Sequence, residues 1–496
     1  MISNSRKILE INKILIIIFG LLLIIGNCFS QSITWQRTYD GRDHGSDGSF
    51  GVCKADGDNI YIAGTTTFLP NRKYIYILKL NPFGDTIWTR AITLGTISGE
   101  TANAIVSNND GSCVITGDAG NPYSIKLDLN GNIIWNNMYG SGFKQCYCII
   151  KTSDGGYIAC GRDAGCSTDC AYILKIDSVG GLQWQQTYPA GYFKGFYSIV
   201  EANDYNGYIA VGFDKANITD TTRGYIVKIN YLGGIIWEKR YLIEQNSYIN
   251  CISNCNSGYL IAGGTVNNSL NVIRLFFGRL NELGDTSNIK IFETSSNEYF
   301  AGFNIINDNK FVMASSKDSI LALNGHVFTF DSLGTVISSK MYLTEDVMNL
   351  RYAFPLTNGD IIFGGSVDFD AVSTRNDIYV LRTDSLLNAP PPIGINHQNV
   401  KLPVNFKLYQ NFPNPFNPVT NIKYDVPSDV NVSIRIYDIL GKEVFNTNEY
   451  KIAGSYEVQF DGNDHASGMY YYQITVRQAG SSTVEYIDTK KMVLIK

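Results

Sequence analysis

The sequence predicts an all-β chain, a seven-bladed β-propeller followed by a small immunoglobulin-like β-sandwich. Three observations carry this reading. A motif of Asp or Asn, two residues, Gly, three residues and Trp recurs about every 50 residues. The segments between its copies alternate apolar and polar side chains in runs of strand length, broken by Gly and Asp turns. Near Asn388 the composition changes, and a second, shorter set of alternating segments runs to Lys496. The composition agrees with many short strands: 32 Tyr, 25 Phe and 47 Gly stand among 496 residues. Only 17% of residues are charged, against roughly a quarter in an average domain. The formal charge of −5 is small and no Lys/Arg run occurs, which argues against a nucleic-acid partner.

In chain order, residues 1–30 read as a secretory signal. Arg6, Lys7 and Lys13 supply the positive start, and Ile14 to Ile25 is an unbroken apolar stretch of 12 residues. A membrane span needs roughly 20. Cys28 and Ser30 are small residues at the right positions for cleavage between Ser30 and Gln31. The alternative, a lipid on Cys28, meets a bulky Asn27 where a lipid-attachment motif needs a small residue.

Residues 31–385 hold the repeat. Its full copies are Asn81, Gly84 and Trp88; Asp128, Gly131 and Trp135; Asp177, Gly180 and Trp184; and Asn230, Gly233 and Trp237. Two copies end without Trp, at Asn288 and Ser338. The first residues of these copies are spaced 47, 49, 53, 51 and 50 residues apart. The motif reads as a hairpin. The Asx side chain caps turn amides, Gly takes the positive φ, and Trp stands at a fixed depth where a large ring packs between sheets. A second hairpin lies upstream in each unit, such as the one turning at Asp154 and Gly155, so each unit has four strands, the signature of a propeller blade. The ends complement each other. Trp35 has no turn before it, and Asp384 has no Trp after it, so the first strand completes the last blade. Seven turn positions, from Asn81 to Asp384, give seven blades. An eight-bladed ring or an open solenoid is the alternative.

Residues 386–404 read as a linker, opened by Pro390, Pro391 and Pro392. Residues 405–496 contain about six alternating strands, among them Val432 to Tyr437 and Tyr470 to Val476, which fits a small antiparallel sandwich. Four ordered motifs mark this segment. They are the run Asn411 to Pro418 containing Asn414, Pro415 and Phe416; Ile436 to Gly441; Ser467 to Tyr472 containing Gly468; and a basic-apolar tail with Lys490 and Lys491.

These motifs resemble the type IX secretion C-terminal sorting domain of type A, from about Phe406 to the last residue. The resemblance implies recognition by an outer-membrane translocon and removal by a sortase-like protease. Release or attachment to anionic lipopolysaccharide would follow. An ordinary immunoglobulin-like binding module is the plainer alternative. The Trp motif looks like a relaxed form of the tryptophan-docking repeat of quinoprotein-like propellers. It resembles more closely the dispersed propeller repeats of secreted bacterial proteins. No residues match a quinoprotein cofactor pocket, and no cofactor is expected.

Nine cysteines follow the signal, all between Cys53 and Cys255. Export permits disulfides, and Cys166 and Cys170 are the expected loop pair; Cys53, Cys113 and Cys146 read as small buried side chains. Of four histidines, His397 and His465 lie in the linker and the terminal segment, and His44 and His326 have no recognisable catalytic partner motif. Asp40, Asp43 and Asp47 form an acidic cluster of the kind that binds calcium, though a solvated loop is the plainer reading. On the expected innermost strands, such as Phe50 to Lys54, Ala104 to Ser107, Cys146 to Thr152, Ser198 to Glu201 and Ile249 to Ser253, Glu201 is the only acid, which counts against the paired carboxylates of a glycosidase on these strands and leaves the loops as their source. The loops Thr65 to Lys73, Arg162 to Asp169, Asp214 to Arg223 and Ser366 to Asn376 share one face and are rich in Tyr, Asn, Asp, Arg and Thr. The expected function is therefore binding or adhesion to a glycan or protein at the cell surface. A secreted polysaccharide hydrolase or lyase, and a structural surface component, are the alternatives.

Overall fold

The computed structural model describes residues 33–496 apart from 42–45, 69–71, 97–98, 190–191, 268–270, 320–322, 343–346, 369–375, 391–397, 400–404, 452–453 and 479–483 and the single residues 141, 167, 257 and 429. Ser30, Gln31, Asp43, His44 and His397 lie outside the described residues. No helix occurs among those described, so none is long and apolar enough to cross a membrane.

Six sheets of four antiparallel strands follow one another in chain order, over residues 48–92, 101–138, 144–188, 193–241, 247–292 and 298–342. A further sheet contains Val347–Pro355, Ile361–Asp368 and Asn376–Thr383. Its fourth full-length strand is Trp35–Asp40, paired antiparallel with Asn376–Thr383. Burial explains the sequence of each strand. Third strands such as Cys170–Ile176 are buried on both faces, between neighbouring sheets, and are correspondingly apolar. Outer strands such as Ile133–Met138 are largely exposed.

The repeat fastens each sheet to the next. Trp35 Nε1 donates to Pro82 O at 2.9 Å, Trp88 Nε1 to Leu129 O at 3.0 Å, and Trp184 Nε1 to Tyr231 O at 2.8 Å. Each acceptor directly follows the Asx residue of the next sheet's turn. Trp135 and Trp237 lie the same way, against Gly180 and Gly284. At Gly84 φ is 80°, and a Cβ there would come within 2.9 Å of the Trp35 ring. Gly180 has φ 83° and would meet Trp135 at 2.8 Å. Glycine is therefore required both for the turn and for the neighbouring indole. A tyrosine four residues after the Trp completes the joint. Tyr39, Tyr139 and Tyr188 donate their hydroxyls to Gly84 O, Gly180 O and Gly233 O at 2.7, 3.0 and 2.8 Å. The fifth and sixth sheets, which lack Trp, pack Phe292 against Phe328 and Phe330 at ring separations of 4.9 and 5.1 Å.

The first and last sheets meet. Ser49 Oγ donates to Gly365 O at 2.9 Å, and Arg382 Nη1 to Pro82 O at 2.8 Å.

The terminal domain has two facing sheets, one of three strands and one of four. Its core includes Ile422, Tyr424, Ile434, Phe460, Tyr472 and Met492. It touches the second sheet's turn through Lys451 Nζ, 3.3 Å from Asn132 Oδ1. Tyr456 stacks on the Arg90 guanidinium at 4.5 Å, with Trp88 at 5.2 Å from the same cation.

Cys166 and Cys170, the expected loop pair, stand as free thiols within hydrogen-bond reach of each other, and Cys170 Sγ donates to Thr168 O at 3.4 Å. Cys53, Cys113 and Cys146 are buried.

Candidate functional site

The first strand of each sheet lies innermost, where neighbouring sheets touch. Each of these seven strands carries a β-bulge at the same level. The extra residues are Phe50, Asn103, Tyr147, Tyr197, Asn250, Ala301 and Arg351. A bulge leaves one residue out of the ladder and re-aims its side chain. Here the re-aimed side chains reach one another. The Tyr147 and Tyr197 rings are 6.0 Å apart, and the Arg351 guanidinium lies 5.6 Å over the Phe50 ring. Arg351 is exposed, and no carboxylate pairs with it among the described residues.

Aromatic packing extends this ring. Phe213 lies 5.3 Å from Tyr197 and 5.8 Å from Tyr248. A cavity of about 340 Å³ opens here, lined by Tyr197, Tyr248, Asn250, Tyr299 and Phe300 among others. Burial pushes the Tyr197 phenol up to about 12, with Tyr248 adding to the rise and Arg162 opposing it. The phenol therefore stays a neutral hydrogen-bonding group. Arg162, near the end of the strand Tyr157–Asp163, joins this face: Arg162 Nε and Tyr147 OH both donate to Gln145 Oε1, at 2.8 and 2.7 Å. Glu201 lies elsewhere, accepting from Ser153 N and Oγ at 3.0 and 2.6 Å.

A second acid missed by the sequence reading, Glu298, stands at the start of the sixth inner strand. It gives His326 the partner expected to be lacking. His326 Nδ1 is 2.5 Å from Glu298 Oε1, and His326 Nε2 is 2.9 Å from Ser339 Oγ. Burial alone would raise the Glu298 carboxyl; His326, the Ser315 hydroxyl and Lys317 outweigh it and hold it below the usual range. The row lines a cavity of about 450 Å³. Its three residues come from three strands, so no local motif announces them.

The four terminal motifs converge at one end of the sandwich. Asn414 Oδ1 accepts from Val493 N at 3.0 Å, and Phe416, 1% exposed, exchanges backbone bonds with Val493 and Ile495 at 2.9 and 3.0 Å. Gly468 pairs with Leu494, and Asp438 with Tyr470. Gly441 closes the Asp438 turn, its N–H 3.0 Å from Asp438 O. Lys490 lies 3.8 Å from Asp488, and the Lys491 carbonyl accepts from Gln410 at 2.7 Å. Phe412, Leu440, Met469 and Ile495 stay exposed at this end.

Residues 410–487 match the family described as the secretion system C-terminal sorting domain. The chain is therefore exported through the type IX system, to the cell surface or the extracellular space. No curated protein matches the chain. Among solved structures it is similar to a protein of unknown function from Bacteroides caccae, with 12% identity and a TM-score of 0.37 over 60% of this chain and 94% of that one. It is similar to Sqt1 from Chaetomium thermophilum, with 10% identity and a TM-score of 0.43 over 71% and 99%. It is also similar to YCF48 bound to D1 peptide, with 10% identity and a TM-score of 0.43 over 71% and 95%.

Proposed function

We propose that this type IX-secreted β-propeller is a cell-surface binding module for a glycan or protein, and that its seven sheets form a closed seven-bladed ring. One observation carries the binding reading: seven bulges at one level gather aromatic, amide and guanidinium groups around the inner strands. Aromatic faces stack on sugar rings or apolar side chains, amides and phenols take directed hydrogen bonds, and Arg351 matches a carboxylate or sulfate. The test is an array of glycans and surface proteins probed with the secreted chain. Retention of an acidic ligand class is expected; silence across the arrays counts against the reading.

The terminal domain supports handling by the outer-membrane translocon. Its exposed Phe412, Leu440 and Met469 are the contact surface in this reading. A sortase-like protease would then cut near residues 386–404, followed by release or attachment to lipopolysaccharide. The mass of the mature protein, from medium and from washed cells, tests this.

Hydrolysis is a second reading, favoured by the Ser339, His326 and Glu298 row. Ser339 would be the nucleophile, His326 its base and Glu298 the orienting acid. Labelling by a fluorophosphonate that is lost in Ser339→Ala is the expected result; no labelling removes this reading.

A further inference from the structure

We propose that the joint between the first and second sheets is a docking site for the sorting domain, which it grips by the end opposite the four motifs. The repeat shows that this joint is specialised. At two other joints, the residue two after Trp is a cation that reaches the next sheet's turn. Arg37 pairs with Asp85 at 2.7 Å, and Lys239 with Asp285 at 2.6 Å. Both aspartates stand four residues after the Asx that opens their turn, Asn81 and Asn281. At the joint of the first and second sheets the cation is Arg90, but the turn residue is Asn132, four after Asp128. A neutral amide stands where the ion-pair partner would be.

Arg90 is nonetheless the most deeply buried of the three cations. It is 2% exposed, while the Arg37 and Lys239 side chains are 25% and 33% exposed. Burying a guanidinium is costly unless its donors are met. Here Nη1, Nη2 and Nε donate to the carbonyls of Thr89, Asn130 and Gly131 at 2.7, 2.6 and 3.0 Å. The cation also lies 5.2 Å from the Trp88 ring and 4.5 Å from the ring of Tyr456, which the sorting domain supplies. A desolvated cation over an aromatic face is held by the ring's quadrupole. The second contact uses the amide itself. Asn132 Nδ2 donates to Asp128 Oδ2 at 2.9 Å, and its Oδ1 accepts from Lys451 Nζ at 3.3 Å. Lys451 is 7% exposed, with Glu449 as its ion-pair partner and the Tyr456 ring 4.9 Å from its ammonium. Asn132 thus leaves Arg90 to the Tyr456 ring and still offers an acceptor to Lys451.

The gripped end is the far one. Lys451 pairs with Val430, and Gly454 with Val426. Asp438, at the motif end, lies eight residues further along the strand Val430–Asp438, roughly 26 Å away. With the dock in place Phe412 and Leu440 are still 80% and 88% exposed. The propeller therefore holds the sorting domain by one end and leaves the motif end open, and the dock stands whether or not a translocon reads that end. Cutting residues 386–404 would not by itself separate the two parts.

The test uses the full chain with a specific protease site inserted in the linker, folded first and then cut. In analytical ultracentrifugation at micromolar concentration the two fragments are expected to sediment together. Arg90→Met and Lys451→Ala should each weaken that association about tenfold or more. Arg37→Met, at the same place in the repeat but away from the dock, should leave it unchanged. Should one of the first two variants fail to fold, the other, on the opposite partner, decides. Fragments that separate on cutting overturn the proposal, as does an association undiminished in Arg90→Met and Lys451→Ala.

Discussion

Trp88 is 8% exposed, and its indole N–H is bound to the neighbouring sheet's turn, so its loss removes packing and a hydrogen bond together. Trp88→Ala is expected to cost about 3–5 kcal/mol, measured by urea unfolding. Gly180→Ala combines positive φ with a clash on Trp135 and should cost at least ~1 kcal/mol. The buried cations give an asymmetric expectation. Lys175, beside the Trp position, reaches Asp154 Oδ2 at 2.8 Å; Lys228 reaches Asp204 and Arg382 reaches Asp360 in the same way. Lys175→Met removes the buried charge and should be nearly neutral, whereas Asp154→Ala strands it and should cost about 1–2 kcal/mol, reduced because Asp154 is half exposed. Glu298 adds a pH dependence. Its folded carboxyl titrates below the unfolded value of roughly 4.3, so its contribution is present above that pH and lost as pH falls through the folded value. Glu298→Gln should therefore lower stability at pH 7, and the two unfolding curves should converge in acid.

At the scale of strands and turns, the hairpin motif was readable because physics fixes its residue types. Asp177 Oδ1 caps Val179 N and Gly181 N at 2.9 and 2.7 Å, which only a short acceptor does, and Gly180 must take the positive φ. Tyr39, Tyr139, Tyr188 and Tyr241 four residues beyond Trp were equally readable and were missed, the signal being a second period laid over the first. The bulges were not readable. A bulge is set by backbone register, and its seven side chains range from Ala301 to Arg351, so no single residue type marks the position. The Ser339, His326 and Glu298 row was hidden for a related reason, since cross-strand neighbours can be far apart in sequence. The bulge geometry makes its own prediction. Tyr147→Ala and Tyr197→Ala should leave Tm within about 2 °C, because both rings are only half-buried on the inner strands.

For the whole molecule, residues 410–487 give the type IX route, and the expected signal at residues 1–30 would supply the passage across the inner membrane that precedes it. The four motifs of the sorting domain, separated by tens of residues, fold into one end where Phe416, Gly468 and Leu494 meet. Removing residues 490–496 unpairs that end, and the chain is expected to accumulate in the periplasm, measured by cell fractionation. The address was legible because its motifs are ordered and specific; the proposed binding surface was not, because its side chains come from seven strands along the whole propeller body. The most direct measurement of the binding account is calorimetric titration of an array ligand into the secreted chain and into its Tyr147→Ala, Tyr197→Ala double variant. A loss of affinity of about tenfold or more with Tm retained is predicted, from two stacking contacts worth ~0.5–1.5 kcal/mol each. Equal affinity in both proteins would contradict it and move the binding site off the bulge ring.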